Sequence, residues 1–254
     1  MRLHFYFQIC TVLLTCLTHG LASEADDLVR EALAAESRLD SRKALELFLA
    51  AEKIRADDPF ILRKIARQYS DQMVDLASDA ERQASALRAL EYSQRAVALE
   101  PKNAENILSV AICHGKLAHY GGTREKVQYS RLVRDDAERA LALDPSYAWA
   151  HHLLGRWHRE VSEVGPTARI FLKMFYGGLP AASTAEAVRQ LERAVALEPT
   201  QLQHRLELGF AYAADHQPGK ARASFEAGLA MTSREKHDEP AKARARRALG
   251  ELSR

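Results

Sequence analysis

Three cysteines occur in the 254 residues, and two of them, Cys10 and Cys16, fall within the first 22. The rest of the chain keeps Cys113 alone, which excludes an intramolecular disulfide there and leaves packing to hold the fold. Glycine (12) and proline (8) are scarce, while the strong helix formers Ala, Leu, Glu and Arg are frequent. The formal net charge is only +2, so no global field marks a nucleic-acid binder, and no nucleic-acid partner is expected. Long apolar runs are missing except for one near the start, so the body is expected to be water-soluble. Metal-ligand spacings are missing too: there is no H-E-x-x-H and no Cys/His set, and no metal or other cofactor is expected. Neither a nucleophile elbow nor a carboxylate pair is present, and Cys113, on an apolar helix, has no reactive setting. The expected protein is not an enzyme.

The one apolar run, Phe5 to Leu17, follows a lone cation at Arg2 and precedes the small residues Gly20 and Ala22. This pattern reads as a signal peptide over residues 1–22, with an exported, periplasmic or extracellular product. An uncleaved membrane anchor through residues 5–17 is the alternative, although the run is short for a spanning helix.

What is present is repetition. RAVALEP occurs at Arg95–Pro101 and again at Arg193–Pro199, and RALALDP occurs at Arg139–Pro145. Each phrase reads as a helix end, with proline stopping the helix. Upstream, Ala187, Leu191 and Ala194 fall on one helical stripe, as do Val133, Ala137 and Ala140. Ten residues past each of these prolines stands a small residue, Ala111, Gly155 and Gly209, whereas Tyr69 takes that place after Pro59. A small residue there lets two helices approach closely. The unit is therefore helix, turn, helix, and no single pair buries its own apolar stripe.

These marks resemble the tetratricopeptide repeat. The last copy fits best, with Leu208, Gly209, Tyr212, Ala221, Phe225 and Gly228 at that family's spacing and a turn at Asp215–Gly219. The resemblance implies an all-α, right-handed superhelix of helix hairpins. Pro59, Pro101, Pro145 and Pro199 are 42, 44 and 54 residues apart, against about 34 per repeat. The excess is expected in enlarged turns inside each pair. The domain reading is a single helical-repeat body over 23–254, with units near 24–58, 60–100, 102–144, 146–198 and 200–235. A basic capping helix follows near 239–252, its Lys242, Arg244, Arg246 and Arg247 read as a solvated face. Three further blocks, Gly121–Val127, His151–Trp157 (HHLLGRW) and Tyr176–Thr184, are similar to the regulator of microtubule dynamics family. That resemblance, from about Asp57 to Ala230, implies a binding role. Eukaryotic members are associated with microtubules and organelle contacts, and some are credited with lipid in the concave surface.

In the tetratricopeptide register the concave surface is lined by Leu108 and Ile112, then Trp149, His152, Arg156 and Arg159, then Leu206 and Phe210. The expected surface is apolar at both ends with an aromatic and cationic centre. It suits a partner protein, a peptide with a carboxylate, or a lipid with an anionic head. The competing reading makes these side chains ordinary core. His151 and His152 are adjacent on a helix and point about 100° apart, too divergent to share an ion. Gly121-Gly122-Thr123 lacks the rest of a phosphate cradle, and Thr123 reads as an N-cap. Ser183–Glu186 reads as a capping box. The insertion around Phe171, Phe175 and Tyr176 is expected as a lid packed over the groove, or else as a peripheral membrane or partner contact. The leading expectation is a non-catalytic binding scaffold; the rivals are a structural adaptor of an envelope assembly using the outer face and residues 170–176, or, as the family resemblance implies, a microtubule-associated protein.

Overall fold

The repeated phrases end helices where expected. In the computed structural model, Leu99, Leu143 and Leu197 close three helices, and the proline two residues on stands in the turn that follows. The structure describes residues 23–252. The export and anchor readings of residues 1–22 lie outside the described residues. Among the described residues every regular element is a helix.

Five pairs run in order. The first is α1 (23–37) with α2 (Ser41–Ile54), then α3 (Pro59–Gln72) with α4 (Asp79–Leu99), and α5 (Ala104–Tyr120) with α6 (Thr123–Leu143). Next come α7 (Ala148–Ser162) with α9 (Thr184–Leu197), enclosing the short α8 (Pro166–Tyr176), and α10 (Leu202–Ala214) with α11 (Pro218–Ala230). The last helix is α12 (Asp238–Glu251). From α3 onward the paired helices pack on their partners and on the next pair, and the first helices α3, α5, α7, α10 and α12 touch in sequence along one wall. That wall is the concave side of a helical-repeat superhelix.

Local chemistry starts the helices. The Asp58 carboxylate accepts from the backbone N–H of Phe60 and Ile61 (3.0 and 3.2 Å), with Pro59 in the first turn. Asn103 does the same for Glu105 and Asn106 (2.9 and 3.2 Å). These caps satisfy donors that no helix can satisfy internally. Thr123 proves to be the first helical residue instead of the cap: Gly122 takes that place, and the Glu125 side chain accepts from its N–H at 2.8 Å. At Ser183 the hydroxyl accepts from Glu186 N–H (3.2 Å), which is half of the expected box. A reciprocal box stands instead at Ser78 and Glu81.

The small residues stand at helix crossings. A Cβ on Gly155 would lie 2.7 Å from the Leu191 side chain, and one on Gly209 would lie 2.5 Å from the Phe225 ring. Gly228, where the repeat usually has Ala, faces Leu206 equally closely. Apolar clusters follow the stack among the described residues: Phe48 with Ile61 and Ile65, Met73 with Ala86 and Leu117, Ile107 with Val133 and Trp157, and Leu191 with Leu206 and Phe225. The added length is accommodated in two ways. In the two middle pairs it goes largely into longer helices, 21 residues in both α4 and α6, so α5 and α6 are joined by Gly121 and Gly122 alone. Only α7 and α9 are separated by a long connection, and that connection folds as α8.

Candidate functional site

Trp149, His152, Arg156 and Arg159 recur every three or four residues along α7, so one face of that helix carries all four. The same face meets α10. His152 is buried there, with its Nδ1 3.0 Å from Nδ1 of His204, which has no exposed surface. The Trp149 ring closes the cluster at 5.0 Å from His152 and 4.7 Å from His204. Burial lowers the pKa of both imidazoles, to about 4 for His152 and about 2 for His204, so both are neutral at pH 7. A neutral ring donates from one nitrogen and accepts at the other, which allows the pair to share one hydrogen bond.

One turn further along, Glu207 on α10 is buried, at 4% exposure. Burial alone would raise its pKa. The guanidinium groups of Arg156, Arg244 and Arg159, with His152, outweigh that and hold the carboxyl down to about 2. Arg244 pairs directly with Glu207, and Arg159 lies 3.6 Å from it. Arg156 pairs with Glu160 at 2.7 Å, yet its side chain remains 44% exposed. Phe210 lies beneath Arg159 and Arg244, 5.8 and 5.0 Å from its ring centre, and edge-on to Phe225. The centre of the concave wall is therefore an ionic lattice on an aromatic floor, with Trp149 half-buried and Arg156 half-exposed at its surface.

The apolar ends of the expected groove are different. Leu108 and Leu206 are fully buried in the core clusters, because each fills the seam between neighbouring pairs. They line no open surface. Ile112 and Phe210 are half-buried. The rest of the wall is ionic: Arg63 pairs with Glu105 at 2.6 Å, and Arg67 reaches Glu36, Asp71 and Glu235 at 3.1, 3.5 and 3.6 Å. His151 turns away to Gln190 (2.5 Å) and to the Pro145 carbonyl (3.1 Å). Among the described residues no group of three or more His, Cys, Asp or Glu side chains could hold a metal ion. Cys113 is buried, and burial pushes its thiol up to about 11.

The α8 insertion forms no lid over this wall. It packs mainly on α6, a second helix of its pair, and none of its residues is buried. Arg131 of α6 ties down its end by donating to the carbonyls of Tyr176 and Gly178 (2.7 and 2.6 Å), where Gly177 and Gly178 adopt positive φ. Ile170, Phe171, Met174 and Phe175 stay 48–71% exposed on one side of the helix. Tyr176 is half-buried and contacts Phe171. No helix among the described residues is long and apolar enough to cross a membrane.

Sequence reasoning missed His204, Glu207 and Arg244. Gln203, Glu207 and Phe210 share a stripe at spacings of four and three, so the single acid of α10 was a usable signal. Arg244 gave none. It belonged to a helix read as a solvated basic cap, whereas α12 turns both Lys242 and Arg244 inward: Lys242 is buried and donates to the Met231 carbonyl at 2.5 Å.

Comparisons with known proteins agree with this architecture. The chain is 32% identical over 159 residues to regulator of microtubule dynamics protein 3 of Xenopus laevis, covering 62% of this chain and 34% of that protein. It is 27% identical over 145 residues to regulator of microtubule dynamics protein 1 of Bos taurus, covering 57% and 46%. These matches span less than half the length of either relative. Among solved structures, a thermophilic TPR protein of Thermus thermophilus superposes with a TM-score of 0.66 at 20% identity, covering 89% of this chain and 98% of that one. The pilF protein of Pseudomonas aeruginosa gives 0.56 at 14% identity, covering 92% and 93%. Both likenesses concern the fold. The family model described as regulator of microtubule dynamics protein 1-3 matches residues 22–253, and the chain belongs to that family.

Proposed function

We propose that this protein is a non-catalytic scaffold that captures a segment of a partner protein on its concave wall, with the Trp149–Arg156 face of α7 as the anchor. The observation behind this reading is the pairing of a half-exposed Trp149 with a half-exposed Arg156 over a rigid ionic lattice. An aromatic and a guanidinium held in place by neighbours are the residue types that dominate binding surfaces, because they lose little freedom on contact. A carboxylate on the partner is the natural ligand of Arg156, and an anionic lipid head offers the same chemistry. Export through residues 1–22 belongs to the same reading and places the capture outside the cytoplasm. Arg156→Glu and Trp149→Ala, each checked by circular dichroism to be folded, are expected to lose partner capture from a native extract of the compartment. Unchanged capture by both folded variants contradicts the reading. Native mass spectrometry of the captured complex distinguishes a peptide from a lipid.

A second reading is favoured by α8. Four large apolar side chains on one exposed helix face are unusual for a lone soluble surface, and they suit an adaptor that docks through its outer side. In that case Phe171→Ser with Phe175→Ser abolishes co-purification while the α7 variants do not. The names of the relatives suggest a microtubule role as a third reading. Co-sedimentation of the purified chain with polymerised tubulin tests it, and absence from the pellet opposes it.

A further inference from the structure

The connection between α11 and α12 crosses the concave side of the molecule. Lys236 Nζ lies 2.8 Å from the Asp75 carboxylate and donates to the Leu39 carbonyl at 3.4 Å, 197 positions away in sequence. His237 Nε2 is 3.3 Å from Asp71. The Glu235 carboxylate stands between Arg67 of α3 (3.6 Å) and Gln201, the cap residue of α10, whose amide donates to it at 3.0 Å. One short segment thus ties the last pair and α12 to the first two pairs across the hollow.

These ties are polar throughout. Ser233-Arg-Glu-Lys-His237 contains no large apolar side chain, so nothing greasy commits it to the wall. Burial, against the pull of Arg67 and Gln201, pushes the Glu235 carboxyl up, with Asp238 and Asp71 adding to the rise. Beside the segment is a cavity of about 270 Å³, lined by Glu36, Arg67, Gln68, Asp71 and the segment itself. Gln68 has no exposed surface, and neither its Nε2 nor its Oε1 has a hydrogen-bond partner. A buried amide with a free donor and a free acceptor is costly, and it complements a peptide bond.

We propose that Ser233–His237 is a built-in occupant of the concave wall, displaced when an extended partner segment with a carboxylate followed by a cation takes over its contacts. This rests on the concave wall being the capture surface. A tethered occupant held by polar contacts competes at an effective concentration in the millimolar range, so it screens out weak binders and yields to good ones.

The test uses the full chain. Lys236→Glu places a carboxylate against Asp75 and leaves the receiving wall intact; adding Asp75→Lys restores the pair in reverse. Amide exchange by mass spectrometry is expected to be at least tenfold faster over 232–237 in Lys236→Glu and to return toward wild type in the double variant. A fluorescent peptide copying residues 231–240 is expected to bind Lys236→Glu at least tenfold more tightly than wild type. Circular dichroism checks that all three chains are folded. Equal exchange in wild type and Lys236→Glu overturns the proposal, as does peptide binding that is equal in the two or absent from both. No foreign partner is involved, so such a failure leaves the concave-wall reading to the Arg156→Glu experiment.

Discussion

At His152 and His204 two imidazole nitrogens stand 3.0 Å apart without solvent, and this makes the fold sensitive to mild acid. In the unfolded chain each histidine takes a proton near pH 6.5. In the folded chain protonation is delayed to about 4 for His152 and about 2 for His204. The unfolded state therefore binds more protons below pH 6.5, so stability is complete above that value and falls as pH drops from 6.5 toward 4. The expected loss at pH 5 is roughly 2–4 kcal/mol for the pair, measured by urea unfolding at pH 7.5 and 5. His204→Gln should flatten that limb; an unchanged slope contradicts it. Glu207 acts at lower pH with a depressed carboxylate value. Its contribution is present above pH 4.5 and is lost as pH falls toward 2. Glu207→Ala removes the buried carboxylate that pairs with Arg244 and Arg159 and is expected to cost about 3 kcal/mol, read from the same urea unfolding at pH 7.5.

Element by element, stability should track burial and not hydrophobicity alone. The Ser78 hydroxyl and the Glu81 side chain satisfy one another's backbone donors at the start of α4, so Ser78→Ala is expected to lose about 1 kcal/mol. Phe171→Ser with Phe175→Ser on α8 is expected to change stability by less than about 0.5 kcal/mol, because both rings are already exposed. A large drop in the unfolding midpoint would show that α8 is covered in solution. The helices were legible because Pro101, Pro145 and Pro199 punctuate a period-3.6 pattern, and because Gly155 and Gly209 sit where a side chain would strike Leu191 or Phe225. The destination of the extra residues was less legible. Spacing between prolines counts residues without saying whether they lengthen α4 and α6 or form a separate α8. Arg244 was unreadable for a related reason: a basic helix after the last repeat looks solvated until tertiary packing brings it against Glu207.

Across the whole molecule, each pair shelters its neighbour's apolar stripe, and the first helices form one continuous wall. In such a stack stability is a sum of nearest-neighbour seams. Phe210 and Ala245 belong to the last seam, so ending the chain at Ala230 removes α12 together with Arg244 and exposes that cluster. The expected result is a broadened, less cooperative unfolding transition with the α10–α11 pair exchanging first. The concave face was legible in part: the α7 stripe carrying Trp149, Arg156 and Arg159 could be read from register, but the buried carboxylate that organises it and the segment that crosses it arise from residues far apart in sequence. The most direct measurement is amide exchange on the full chain with and without its co-purified partner. Binding at the concave wall predicts new protection confined to α3, α5, α7 and α10, with 232–237 becoming less protected. Protection confined to α8 and the second helices of the pairs would contradict it.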